Sequence, residues 1–240
     1  MAVLEDLAAD AEFDGIVLCS VWEEWLDESV ASDQEYLADA YDNLSPVSIP
    51  EAVAVGLVQS QFVTFRRESN FRELVKSFVL RRMPPRDARS MAFSRDTACD
   101  FSVVDIPKLR LKQEGGPIAD LYRKPLGTTD HYQQGYQRVH EAAEAIRQRG
   151  GEVWFLRLPT SGWRWKMDQL RHPRDEYWDR FSRIEENTIH FKDLEAIASL
   201  DLPDYSHVDY RDRPLLMKTF VDEIRARGGF SDLIDTGGTL

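Results

Sequence analysis

Apolar positions along the chain fall into short continuous runs and longer stretches with helical spacing. Gly15-Ile16-Val17-Leu18-Cys19-Ser20-Val21 and Glu152-Val153-Trp154-Phe155-Leu156-Arg157-Leu158 are continuous runs rich in β-branched and aromatic residues. Such runs predict strands buried on both faces, as in a parallel sheet. A third, shorter strand is expected at 187–191. Helical spacing marks residues 2–10, with Val3, Leu4 and Leu7 on one side, and 133–149, with Tyr136, Val139, Ala143 and Ile146 on one face. Gly150-Gly151 closes the second of these helices. Others are predicted near 173–183 and over 213–227, the latter turning Leu215, Leu216, Phe220 and Ile224 inward. Between 33 and about 80 the spacing predicts three more, one of them opened by Pro50 over 49–65. Residues 84–130 lack periodicity and contain Gly115-Gly116-Pro117 and Lys124-Pro125-Leu126-Gly127, which predicts loops long enough to serve as a lid or binding segment. Pro159 to Trp165 reads as a loop after the second strand.

Strands alternating with helices predict an α/β domain: three layers, with a mostly parallel sheet flanked by helices. One domain over 1–240 is expected, with 30–130 as a helical and loop insertion. Three strands are fewer than the five or six of an average sheet, so the sheet is expected to lack N-terminal strands. An exposed parallel edge of that kind predicts self-association.

Composition narrows the partners. The net charge of −12 repels phosphate backbones and anionic lipid, which argues against nucleic acid. Two cysteines, Cys19 and Cys99, give no disulfide framework and no metal-ligand spacing. Cys19, inside an apolar run, reads as a buried thiol. No stretch of about 18 apolar residues is present, so no membrane segment is expected. Met1 is followed by an amphipathic start without a basic leader, and the chain as written is expected in the cytoplasm. A longer form with an export signal or anchor would change that.

Candidate chemistry concentrates in Leu202-Pro203-Asp204-Tyr205-Ser206-His207-Val208-Asp209-Tyr210-Arg211-Asp212. A turn can aim Asp204 and His207 the same way. The carboxylate then accepts the Nδ1–H of the imidazole and leaves Nε2 to take a proton from a nucleophile. The plainer reading is a turn before a helix, with Asp209 or Asp212 as the cap. Ser20 and Ser161 follow the two main strands and are the internal nucleophile candidates, although a serine before Gly162 is more often a turn former. Ser206, between the two dyad residues, is too constrained to be attacked by their base. Trp22, Ser161, Gly162, Trp163, Arg164 and Trp165 are candidate pocket residues. Aromatic rings there can stack on sugars or acyl chains and Arg164 can pair with an anion; core packing is the equal alternative. His190 and Asp193 lack a metal-ligand pattern, so His190 reads as structural. No metal and no cofactor is expected.

Val153 to Gly162, Arg174 to Trp178 with Asp179, Ile189-His190-Phe191-Lys192-Asp193 and the Asp204 to Asp212 block together resemble the SGNH (GDSL-like) hydrolase superfamily, most of all its bacterial branch of cell-surface polymer O-acyltransferases. The likeness covers roughly 134–226, and more weakly Leu4 to Val21. It implies a serine esterase or acyltransferase acting on a small-molecule or carbohydrate acyl ester. Asp204 and His207 match the superfamily's Asp-x-x-His motif. Its serine turn, its second-motif glycine and its Gly-x-Asn-Asp motif have no counterpart here; Trp22-Glu23-Glu24-Trp25 stands where the last would be. The expectation is an SGNH-type fold without its N-terminal nucleophile block, with a catalytically inactive pseudoenzyme or a glycan- or partner-binding module as the alternative.

Overall fold

The computed structural model describes residues 2–30, 78–79, 89–91, 97–116, 119–120 and 122–230. The helices predicted between 33 and about 80 lie outside them, except for Phe78 and Val79, which are helical. Among the described residues the chain is mixed α/β, with seven α-helices, a three-stranded parallel sheet and a two-stranded antiparallel ribbon.

In chain order, α1 is Ala2–Ala9, β1 Ile16–Ser20, β2 Arg89–Met91 and β3 Thr97–Cys99. Helix α2 is Ile106–Gly115, α3 Thr129–Arg147, β4 Glu152–Arg157, α4 Gly162–Arg171 and α5 Trp178–Ile184. Strand β5, Thr188–His190, then α6, Glu195–Ala198, and α7, Arg213–Ala226, complete the set. The sheet order is β1-β4-β5, with Val17 opposite Val153 and Phe155 opposite Thr188. The ribbon pairs β2 with β3.

Strand β4 is central, and its alternation builds two cores. Val153 and Phe155 enter one with Leu4 of α1, Val139 and Ile146 of α3, and Trp178 and Phe181 of α5. Trp154 and Leu156 enter the other with Ile189, Ile197 of α6, and Leu216, Phe220 and Ile224 of α7. Helices thus cover both faces. The apolar stripe predicted for α3 is its buried face, and the helix begins at a capping box in which Thr128 and His131 exchange bonds of 3.4 and 3.2 Å. It therefore starts four residues before the predicted Gln133.

Three readings need correction. The loop expected at Pro159 to Trp165 is mostly the first turn of α4. The buried residues of that helix are Arg164 and Asp168, four apart and both charged, so no apolar stripe announced it. The unstructured segment expected over 84–130 contains the ribbon and α2, which Asp105 caps through the Lys108 N–H at 3.1 Å. Cys19 is only part-buried, whereas Cys99 is buried, and neither forms a disulfide.

Residues 99–127 are stitched to the rest. Tyr210 N–H donates to the Cys99 carbonyl (2.8 Å), Phe101 N–H to Asp209 (3.0 Å) and Gly127 N–H to Asp27 (2.8 Å).

Candidate functional site

The loop leaving the carboxyl end of β4 positions the turn that carries Asp204 and His207. Ser161 N–H donates to the Tyr205 carbonyl at 3.0 Å, and Leu202 N–H donates to Ser161 Oγ at 2.9 Å. Arg110, from α2, grips the same turn from the other side. Its guanidinium reaches both Asp201 carboxylate oxygens and the Leu202 and Pro203 carbonyls, each at 3.0 Å, and lies 4.9 Å from the Tyr205 ring centre. Tyr205 also donates its hydroxyl to Glu114 at 2.7 Å. These bonds hold Tyr205 at φ 71°, in the left-handed region that non-glycine residues rarely adopt.

On this turn Asp204 is buried, and its Oδ2 lies 2.7 Å from His207 Nδ1. Its Oδ1 accepts the backbone N–H groups of Ser206 (3.0 Å) and His207 (2.7 Å). Burial alone would raise the carboxyl; the His207 hydrogen bond and charge, with those N–H groups, outweigh it and hold the group below its ordinary value. An ionised carboxylate can only accept, so it favours a proton on Nδ1, and in the neutral ring that tautomer leaves the lone pair on Nε2. The His207 side chain is 42% exposed. The imidazole is thus oriented from behind by the Asp204 carboxylate.

The internal nucleophile candidates do not meet that base. Both ring bonds of His207 fall on Nδ1, to Asp204 and to Ser206 Oγ at 3.0 Å. Ser161 Oγ turns instead to Leu202 and, at 3.4 Å, to Asp201. Ser20 is exposed at the end of β1 and makes no bond to His207. The capping alternative is also corrected. Asp212 makes no side-chain cap on α7, and Asp209 accepts from Phe101 N–H and from the Arg211 backbone and guanidinium.

The other candidate residues divide into three places. Ser161, Gly162 and Trp165 line a small cavity of about 160 Å³ with Lys192 and Asp201. Trp163 lies between Tyr122 and Tyr205, with ring centres 5.7 and 6.5 Å away. Arg164 stacks on Trp22 at 3.9 Å. A wider cleft of about 480 Å³ borders the dyad turn at Pro203, lined also by Phe101, Ile106, Asp209 and Arg211.

Behind these residues runs a buried charged network that motif reasoning missed. Arg157 Nε sits 2.9 Å from both Glu23 carboxylate oxygens, and its guanidinium also reaches Asp168 at 3.0 Å. Asp168 further accepts the Thr160 hydroxyl (2.7 Å) and the Tyr122 hydroxyl (2.6 Å). Glu23, within the Trp22-Glu23-Glu24-Trp25 segment, is committed to Arg157. His190 is buried, with Nδ1 accepting Lys192 N–H at 3.0 Å; burial, then the Arg174 charge, pushes it down to about 2. No cluster of three or more metal-ligating side chains exists among the described residues, and no helix there is long and apolar enough to cross a membrane.

The fold and site define a mixed α/β protein with a carboxylate–imidazole dyad fixed against the carboxyl end of its central strand. Comparison with known proteins finds no matching family model, no matching curated protein and no matching solved structure.

Proposed function

We propose that this chain is an SGNH-type ester-processing domain in which His207 is the general base and Asp204 its orienting carboxylate. The observation that carries the reading is the 2.7 Å bond between Asp204 Oδ2 and His207 Nδ1, with no bond to Nε2 among the described residues. Its place supports the same reading, since ligands of parallel α/β sheets bind outside the carboxyl ends of the strands. Nε2 would take the proton of an attacking hydroxyl or water as it adds to an ester carbonyl. Asp204 would stabilise the imidazolium that forms. The substrate class is an acyl ester, with a carbohydrate O-acyl group as the form the sequence resemblance suggests. A non-catalytic glycan- or partner-binding module is the competing reading. It is favoured by one observation: no hydroxyl among the described residues is bonded to Nε2.

The test is hydrolysis of p-nitrophenyl acetate by the purified chain beside His207→Gln, with folding checked by circular dichroism. Loss of general-base catalysis should lower the rate about 100-fold or more. Equal rates in the two proteins, or no turnover by folded wild type, would overturn the catalytic reading in favour of the binding module.

A further inference from the structure

Two buried arginines stand near the carboxyl end of β4, and their bonding is opposite. Arg157 has every arm engaged, by Glu23, Asp168 and the Leu158 carbonyl. Arg164, in the first turn of α4, is only 8% exposed. Its guanidinium stacks 3.9 Å over Trp22, and its Nε is sealed from solvent with no acceptor. Among the described residues no carboxylate, carbonyl or hydroxyl bonds to it. The acidic groups whose charge acts on it, Asp168 and Asp204, are already committed. Asp168 serves Arg157, Thr160 and Tyr122, and Asp204 serves His207 and the Ser206 and His207 backbone.

A guanidinium carries five N–H donors in a planar fork that matches an oxoanion two bonds at a time. Buried without a partner, it carries a desolvation cost that stacking on an indole offsets only in part. Burial pushes the Arg164 group down from its ordinary value, outweighing the nearby acidic groups Tyr122, Asp168 and Asp204. The arrangement is a preorganised cation: a rigid aromatic backing, an Nε–H with no acceptor and, among the described residues, no bond to the terminal nitrogens, close enough to the dyad for the Asp204 charge to be felt.

We propose that Arg164, backed by Trp22, is the recognition residue for an oxoanion of a ligand that binds beside the dyad turn, a carboxylate or a phosphate held by the guanidinium fork. Resting on the ester-processing reading, this makes the substrate an acyl ester whose own skeleton bears an acidic group. The bland alternative is that Arg164 only packs against Trp22, and it predicts no anion dependence.

The experiment is a titration of the full chain with sodium acetate and, separately, inorganic phosphate at constant ionic strength. Chloride is the control, and the readouts are tryptophan fluorescence and thermal unfolding. Wild type should show a saturable response to one or both oxoanions; the stronger identifies the carboxylate or the phosphate. Arg164→Lys keeps the charge but loses the fork and should bind at least tenfold more weakly, and Arg164→Gln should not respond. No saturable response in wild type, or an undiminished one in Arg164→Lys and Arg164→Gln, would overturn the proposal. Neither result bears on His207-dependent hydrolysis, so the two readings fail separately.

Discussion

Arg157 interrupts an otherwise apolar strand, and a charge there requires a buried partner; that much is legible in the sequence. Which partner is not, because Glu23 lies 134 residues away. The same limit applies to the dyad. Asp204 and His207 are neighbours in sequence, so their pairing could be read directly. The groups that fix their turn, Ser161 and Arg110, come from distant segments and could not. Truncating Arg157 would leave Glu23 and Asp168 as buried, unpaired charges. Arg157→Leu should therefore cost about 3–5 kcal/mol of stability in urea unfolding. A loss below about 1 kcal/mol would show that the network is solvated or already neutral.

At the scale of elements, apolar patterning found β1, β4, α1, α3 and α7; β4, α3 and α7 bury apolar faces and α1 buries Leu4, whereas β1, expected to be buried on both faces, is only partly covered. The patterning missed α4, whose buried stripe is Arg164 and Asp168, and α2, which buries no residue at all. For α2 the start signal was present as Asp105-Ile106-Pro107, a cap followed by proline in the first turn. The junction of β4 and α4 is where element geometry sets the site. Gly162 has φ 52°, and a Cβ there would lie 2.6 Å from the Tyr205 ring. Gly162→Ala combines a strained backbone with a clash against the dyad turn. It should destabilise by about 1–3 kcal/mol and lower ester hydrolysis beyond what lost folded protein explains. Wild-type hydrolysis in the folded variant would mean that the turn is not held by this contact.

At the scale of the whole molecule, the described residues form a small parallel sheet between two apolar cores, with a separate two-stranded ribbon and a polar, charged region at the carboxyl end of the central strand. Alternation of strand and helix made the α/β class legible. The shortness of the sheet, also legible, leaves β1 at its edge among the described residues, with Leu18 41% exposed. The buried histidines set its response to acid. His172 is 2% exposed and bonded to the Tyr132 hydroxyl at 2.9 Å; burial, then the Arg171 charge, pushes it from 6.5 to about 4. The unfolded chain binds a proton near pH 6.5 and the folded one does not until about pH 4. The stabilising preference for neutral His172 is therefore complete above pH 6.5 and lost as pH falls toward 4. The urea midpoint should drop across that window, and His172→Gln should flatten the drop. A midpoint constant from pH 7 to 5 would contradict the burial of a neutral histidine. The carboxylates act lower, since the depressed Asp204 group is protonated only below its ordinary range.

The proposed chemistry depends on one proton, the one Asp204 holds on His207 Nδ1. Long-range ¹H–¹⁵N correlation of the imidazole ring, at a pH where it is neutral, reads that proton directly. The His207 signals should show Nδ1 protonated and Nε2 bare in wild type, and this preference should weaken or reverse in Asp204→Asn, whose amide can also donate. A wild-type His207 protonated on Nε2 would have no lone pair there to accept a proton, and the general-base role would be ruled out.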